Sequence, residues 1–277
     1  MSTDLARVTA LAAGEPLEGS ALKSCCAAVY AHPAVRWLLG DELHPGGAET
    51  TRRALELAGV GRGDRLLDVA SGDGASALLA AAELGAEVVG VEYGAAAVRG
   101  AGEAAASAGF GARVSFVEGD AERLPAGDGS FDAVLCECSL CTFPDKRRAV
   151  AEMRRVLRPG GRLAISDVTA EAGRLPAELR GGLATIACVG EALSTDEYER
   201  LLAEAGFGPV RVERRDRDAA ALAERVEERL RGARQLGFES LAELPLPVSA
   251  ALDTVGAARR AIADGALGYA IFSAVRD

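Results

Sequence analysis

The chain contains no run of about 18 apolar residues, the length a helix needs to cross a bilayer, so no membrane span is expected. Its opening stretch, MSTDLARVTALAAGEPLEG, has early acids and no basic segment before an apolar one, which does not fit a signal peptide. Basic charge is not in excess: the net charge is −10 and the pI about 4.9. That argues against nucleic acid as a partner. Internal repeats and low-complexity tracts are missing, apart from an alanine bias that inflates helix expectations. Cytoplasmic localisation follows as the expectation, with the six cysteines mostly reduced. What is present is ordinary for a globular chain with a sizeable core: 277 residues, 49% hydrophobic and 26% charged.

The most informative stretch is RLLDVASGDGA, Arg65 to Ala75. A buried strand ends in an acid, a small-residue turn and two glycines, and a helical run follows from Ser76 to Leu84. Glycine lets a ligand approach the backbone, and ligands of open α/β sheets bind beyond the carboxyl ends of strands. Glu92 closes a second apolar run, 18 residues beyond Gly74. A carboxylate at that offset suits a ribose diol, because it accepts two hydrogen bonds and donates none.

Strands RLLDVA, EVVGVE, RVSFVEGD, FDAVLCEC and GRLAISDV alternate with helices, the pattern of βαβ units. VRVERR and GYAIFSAVR are read as additions at one sheet edge. The expected fold is α/β, a doubly wound, mostly parallel seven-stranded sheet with a helical N-terminal extension and a helical insert. Residues 1–48 are read as an extension covering the active site and 49–277 as the main domain. Its cofactor core is about 60–168, and the acceptor lid and sheet edge are about 169–277. The insert is expected as a helical region from Ala177 to Leu193. Ser194 and Glu197 then form a capping box, and Pro245 and Pro247 break a later linker.

The dinucleotide pattern G-x-G-x-x-G is absent. Asp68 and Asp73 beside the turn would repel a pyrophosphate, which needs bare backbone donors. They suit a ligand with ammonium and sulfonium charges. Gly119-Asp120-Ala121 follows the third strand, where an Asp accepts from an exocyclic amine such as that of adenine. With FDAVLCEC and VLRPGGRLAISDV, these segments over about residues 50–210 resemble the class I S-adenosylmethionine-dependent methyltransferases. The resemblance implies S-adenosylmethionine as cofactor. It implies contacts at Asp68, Ala70, Gly72 and Gly74 for the methionine part, Glu92 and Tyr93 for the ribose, and Asp120 and Ala121 for the adenine, with Cys136 nearby. Ala70 stands where that family usually has its first glycine, and alanine fits if its φ is negative.

The cysteines point to the acceptor. Cys25 and Cys26 are adjacent, Cys136, Cys138 and Cys141 cluster at the fourth strand, and Cys188 lies in the insert. In a strand, Cys136 and Cys138 share one face. Soft thiolates suit soft metalloids, although any single buried cysteine is more often a small hydrophobe. ALKSCCAA, the segment from AVLCECSLCTFPDK onward, and LATIACVGEALS resemble the arsenite methyltransferases. The resemblance implies As(III) held by thiolates at Cys188 with Cys26 or Cys25, Cys138 alongside, and a small thiol as a further partner. Two departures stand out. No cysteine follows Cys188, and Glu137 and Cys141 replace that family's asparagines.

The expected function is therefore methylation of thiol-bound As(III). The alternative is O-, N- or C-methylation of an organic small molecule, with His32, His44 or Glu137 as base. A third reading is a cysteine-rich binder without catalysis. His32 and His44 are the only histidines, and their proline-flanked positions favour structural roles for both.

Overall fold

A computed structural model of the chain describes residues 7–10, 15, 17–40, 43–180, 183–240 and 246–277. Pro245, part of the expected linker, and stretches of the first 20 residues lie outside the described residues, as do Gly181 and Gly182 of the insert.

Seven strands form one sheet: β1 (Arg65–Val69), β2 (Glu87–Glu92), β3 (Val114–Glu118), β4 (Phe131–Glu137), β5 (Leu157–Ala170), β6 (Arg211–Arg214) and β7 (Leu267–Val275). Their spatial order is β3-β2-β1-β4-β5-β7-β6. The first five strands pair in parallel, and β7 runs antiparallel to both β5 and β6. The doubly wound expectation is met, with the last two strands at one edge. Chain order reverses between β1 and β4, which opens a crevice at their carboxyl ends.

Parallel strands covered on both faces read as continuous apolar runs, and RLLDV and FDAVLCE do so. Leu67, Val69, Val134, Cys136 and Ile165 face one helical layer, and Leu66, Ala133, Leu135 and Ala164 face the other. α1 (Gly19–Ala31), α2 (Pro33–Leu39) and α3 (Gly47–Leu57) precede the sheet, and α4 (Ala75–Leu79) and α5 (Ala95–Ser107) follow β1 and β2. α6 (Lys146–Val156) is capped by Asp145, whose carboxylate accepts from the Arg148 amide at 2.9 Å. It buries Ala149, Val150, Met153 and Val156 at helical spacing.

The expected helix from Ala177 to Leu193 is not formed. Over that span the described residues hold one 3₁₀ turn, Ala177–Leu179, and a short turn, α7 (Leu183–Ile186). Cys188 takes a left-handed conformation, φ 63°. The Val189 and Gly190 amides both return to the Ala184 carbonyl. A Cβ at Gly190 would meet Thr185 Oγ1 at 2.7 Å, so the chain doubles back here instead of continuing as helix.

Beyond it, α8 (Thr195–Glu204) begins at the expected capping box. Its Tyr198 stacks on Phe272 of β7 with ring centroids 4.5 Å apart. α9 (Asp216–Gln235) and α10 (Val248–Ala263) lie between β6 and β7 in sequence. Leu22, Cys25 and Val29 of α1 share an apolar cluster with Leu230 of α9, Val248 of α10 and Leu246 just before α10.

Met153 is fully buried between α6 and the sheet, whereas Leu236 is 78% exposed. Met153→Ala is expected to lower unfolding free energy by about 2–5 kcal/mol in urea titrations. Leu236→Ala should change it by less than about 0.5 kcal/mol.

Candidate active site

A cavity of about 900 Å³ lies at the carboxyl ends of β1, β2 and β4. The turn after β1 forms its floor. Ala70, Gly72 and Gly74 all have positive φ, at 60°, 54° and 82°. Ala70 therefore departs from the negative φ on which its fit was premised. Its amide and that of Ser71 both donate to the Val91 carbonyl, at 2.8 and 3.1 Å, and these bonds hold the turn in place. A Cβ on Gly74 would sit 2.4 Å from the Phe116 ring, and one on Gly90 would sit 2.3 Å from it. Two glycines thus seat one aromatic ring of β3 beneath the turn. Gly74 serves this packing and does not line the cavity.

Five carboxylates line the cavity: Asp68, Asp73, Glu92, Asp120 and Glu137. Asp68 ends β1 and is 2% exposed, and its Oδ2 has no hydrogen-bond partner. Burial, then the charges of Glu137, Glu92 and Asp73, push its pKa well above the usual carboxylate range. Ser71 Oγ is buried beside the same turn, also without a partner. Glu92 closes β2 and braces the floor, with Oε2 accepting from the Gly72 amide at 3.0 Å and Oε1 from the Gly94 amide at 2.8 Å.

Asp120 receives Lys23 of α1 on both oxygens, at 2.9 and 2.8 Å. Asp73 pairs with Arg36 of α2. Tyr93 and Ala121 also line the wall. Among the described lining residues, the only cationic or titratable basic side chains are Lys23, Arg36 and His44, and all three precede the sheet.

Glu137, at the end of β4, is the most heavily bonded of the five. Ser76 Oγ donates to Oε2 at 2.6 Å, Thr51 Oγ1 to Oε2 at 3.0 Å, and Ser166 Oγ to Oε1 at 3.2 Å. Tyr269 backs Ser166 at 3.0 Å. His44 Nε2 lies 3.7 Å from Glu137 Oε2 and 3.3 Å from Thr51 Oγ1, and its Nδ1 is 3.3 Å from the Pro45 carbonyl. His32 has the structural role expected of it: its Nδ1 accepts from the Ala34 amide and caps α2.

The cysteines divide. Cys26 and Cys138 line the cavity; Cys25, Cys136, Cys141 and Cys188 are buried behind it. Cys138 lies past the end of β4 with φ 47°, so it leaves the strand face that holds Cys136. Cys136 packs in the core beneath and does not reach the cavity. Tyr30 OH is 2.8 Å from Cys188 Sγ, which lies 3.9 Å from the Cys138 carbonyl. Hydrogen bonds from Cys138, Cys141 and Tyr30 hold the Cys188 thiol well below its ordinary pKa. Burial, then the charges of Cys188 and Cys25, push Cys26 up to about 12. Among the described residues, no three His, Cys, Asp or Glu side chains converge as a metal-binding group.

Sheet order and crevice define a class I, Rossmann-like methyltransferase that uses S-adenosylmethionine. The chain belongs to the methyltransferase-domain family, which matches residues 61–206. It is therefore an enzyme and not a binder alone. It is 32% identical over 253 residues to the 27-O-demethylrifamycin SV methyltransferase of Amycolatopsis mediterranei, covering 86% of this chain and 90% of that protein. It is 34% identical over 163 residues to the arsenite methyltransferase of Halobacterium salinarum, covering 58% of this chain and 41% of that protein. The fold is similar to that of the [4+2]-cyclase SpnF, with TM-score 0.75 and 23% identity over 94% of this chain and 97% of that one. No helix among the described residues is long and apolar enough to cross a membrane.

Sequence reasoning did not single out Lys23, Arg36, Thr51 or Ser76. Each is unremarkable in its own segment, and none forms a motif with its eventual partner.

Asp68 is a buried, unsatisfied acid, so its native environment costs stability without a ligand. It binds a proton in the folded state at pH values where the unfolded chain has lost it. Stability without ligand is therefore expected to fall as pH rises above the ordinary Asp range. Asp68→Asn should remove that slope and raise the melting temperature of the ligand-free protein, as differential scanning fluorimetry across pH would read.

Proposed function

We propose that the enzyme methylates a hydroxyl group of a small organic acceptor, with His44 as the base and Glu137 behind it. The His44–Thr51–Glu137 cluster on the cavity wall carries this reading. An alcohol oxygen is a weak nucleophile until its proton is removed. The lone pair of As(III) needs no base, so a built base favours the organic acceptor. The span of similarity to the rifamycin O-methyltransferase, across most of both chains, supports the same side. So does Cys26, whose thiol is held protonated at neutral pH by burial and its thiol neighbours.

The residues present fit S-adenosylmethionine. The partnerless Asp68 Oδ2 suits an ammonium, which would restore the ionised form of the acid. Each Glu92 oxygen accepts one amide and keeps a lone pair for a ribose hydroxyl. Asp120, with Ala121 and Tyr93, suits the adenine end, and Ala70 and Gly72 wall the methionine end. Lys23, Cys26 and Tyr30 of α1 and Arg36 of α2 line the cavity wall, which supports reading the N-terminal segment as its cover. When bound, the cofactor supplies a methyl group already activated by a sulfonium.

The chain's part is to bind, orient and deprotonate. In the tautomer whose Nδ1 proton faces the Pro45 carbonyl, which only accepts, Nε2 is the accepting nitrogen. Nε2 takes the proton of the acceptor hydroxyl, and the imidazolium that results faces the Glu137 carboxylate at 3.7 Å. Three hydroxyls donate to the Glu137 carboxylate and hold it in place. Glu137 faces the same nitrogen that takes the proton, so its charge acts directly on the imidazolium.

The test pairs a panel of hydroxylated aromatic and macrocyclic acceptors with arsenite plus glutathione. Methyl transfer to a hydroxyl is expected, with His44→Ala lowering kcat about 10²- to 10⁴-fold at neutral pH and recovering as pH rises. Cys188→Ser should retain that turnover. Methylated arsenic together with no turnover of any hydroxyl acceptor would overturn the reading.

A further inference from the structure

Lys23 lies in α1, 97 positions before its partner Asp120, and its side chain is only 11% exposed. Its ammonium meets three oxygens: Asp120 Oδ1 at 2.9 Å, Asp120 Oδ2 at 2.8 Å and Glu122 Oε2 at 2.7 Å. An ammonium has three protons, so all three are engaged. Asp120 Oδ1 also accepts the Glu122 amide at 2.9 Å. The open lone pair on Asp120 is then on Oδ2. Glu122 is anchored in turn, because its Oε1 accepts the Asp145 amide at the cap of α6 at 2.9 Å.

We propose that Lys23 is a positioning residue for the cofactor's adenine: by engaging every ammonium proton with Asp120 and Glu122, it fixes Asp120 as a pure acceptor and makes this end of the cavity select a 6-aminopurine over a 6-oxopurine. The proposal rests on Asp120 meeting the adenine edge, as read above. A 6-amino group donates to the open Oδ2 lone pair. A 6-oxo group presents its own lone pair to a carboxylate and finds no donor left on Lys23. Burial raises the Asp120 pKa, but the hydrogen bonds from Lys23 and the Glu122 amide, with the Lys23 charge, outweigh it and lower the value. Asp120 therefore does not become a donor at neutral pH. Without the ammonium, Asp120 and Glu122 repel one another, and Asp120 is free to rotate or take up a proton and pair with a 6-oxo group.

Calorimetry with S-adenosylhomocysteine and S-inosylhomocysteine tests this on the full chain. Wild type is expected to prefer the adenosyl compound about 100-fold, the scale of one unmatched buried hydrogen bond. Lys23→Met should bring the ratio below about 10-fold, and Lys23→Arg should keep it. Lys23→Gln is a second neutral substitution read by the same ratio, with circular dichroism confirming the fold of each. If Lys23→Met and Lys23→Gln keep the wild-type ratio while Asp120→Asn collapses it, the role of Lys23 is refuted and the adenine reading stands. If Asp120→Asn keeps the ratio, the adenine reading fails and the proposal with it.

Discussion

Negative charge gathered around one cavity is the constraint on which this site depends. Parallel strands bring their carboxyl ends together, and β1, β2 and β4 all end in or beside an acid. Like charges at such distances destabilise one another unless cations or donors intervene. The segment before the sheet supplies Lys23 to Asp120, Arg36 to Asp73 and the His44 ring beside Glu137. Glu92 is met by two backbone amides instead, and Asp68 Oδ2 has no hydrogen-bond partner. A donor thus meets every acid of the wall except where a positively charged ligand would lie. The same pairs tie the first helices to the sheet.

Local backbone geometry serves the same end. Left-handed residues cluster where the chain must turn beneath the cavity, and two of them, Ala70 and Cys138, are not glycine. Such conformations cost of order 1 kcal/mol each and persist where neighbouring bonds over-determine them. The Val91 carbonyl does so for Ala70, and the Ser166 carbonyl, 2.7 Å from the Cys138 amide, does so for Cys138. At Cys138 the result is a thiol swung out of the strand and onto the cavity wall.

The fold was largely legible because its signals are local. Alternating strands and helices, the Ser194–Glu197 box and the acids at strand ends are each read within a dozen residues. Asp68, Glu92 and Asp120 could be placed on the cavity because each lies at or just past the end of its own strand. Lys23, Arg36 and Thr51 were not, because their meaning lies in partners on distant segments, and a lysine in an amphipathic helix usually faces solvent. The cysteine arrangement was only partly legible for a related reason. Spacing placed Cys136 and Cys138 on one face, yet a single left-handed residue parted them. The insert was read as helix from alanine content, while Gly190 and Cys188 decided its path.

β6 finds its sheet partner only in β7, which enters between it and β5. A chain emerging from the ribosome therefore makes β6 and then the α9–α10 pair before β6 has any strand to join. Until the last strand arrives, β5 and β6 both present unpaired edges of the kind that recruit other chains. The apolar face of α1 also waits on α10 for its cover. Assembly of the cavity is in this sense a late event of biosynthesis, and the interval before it is when the nascent protein is most exposed to misassociation.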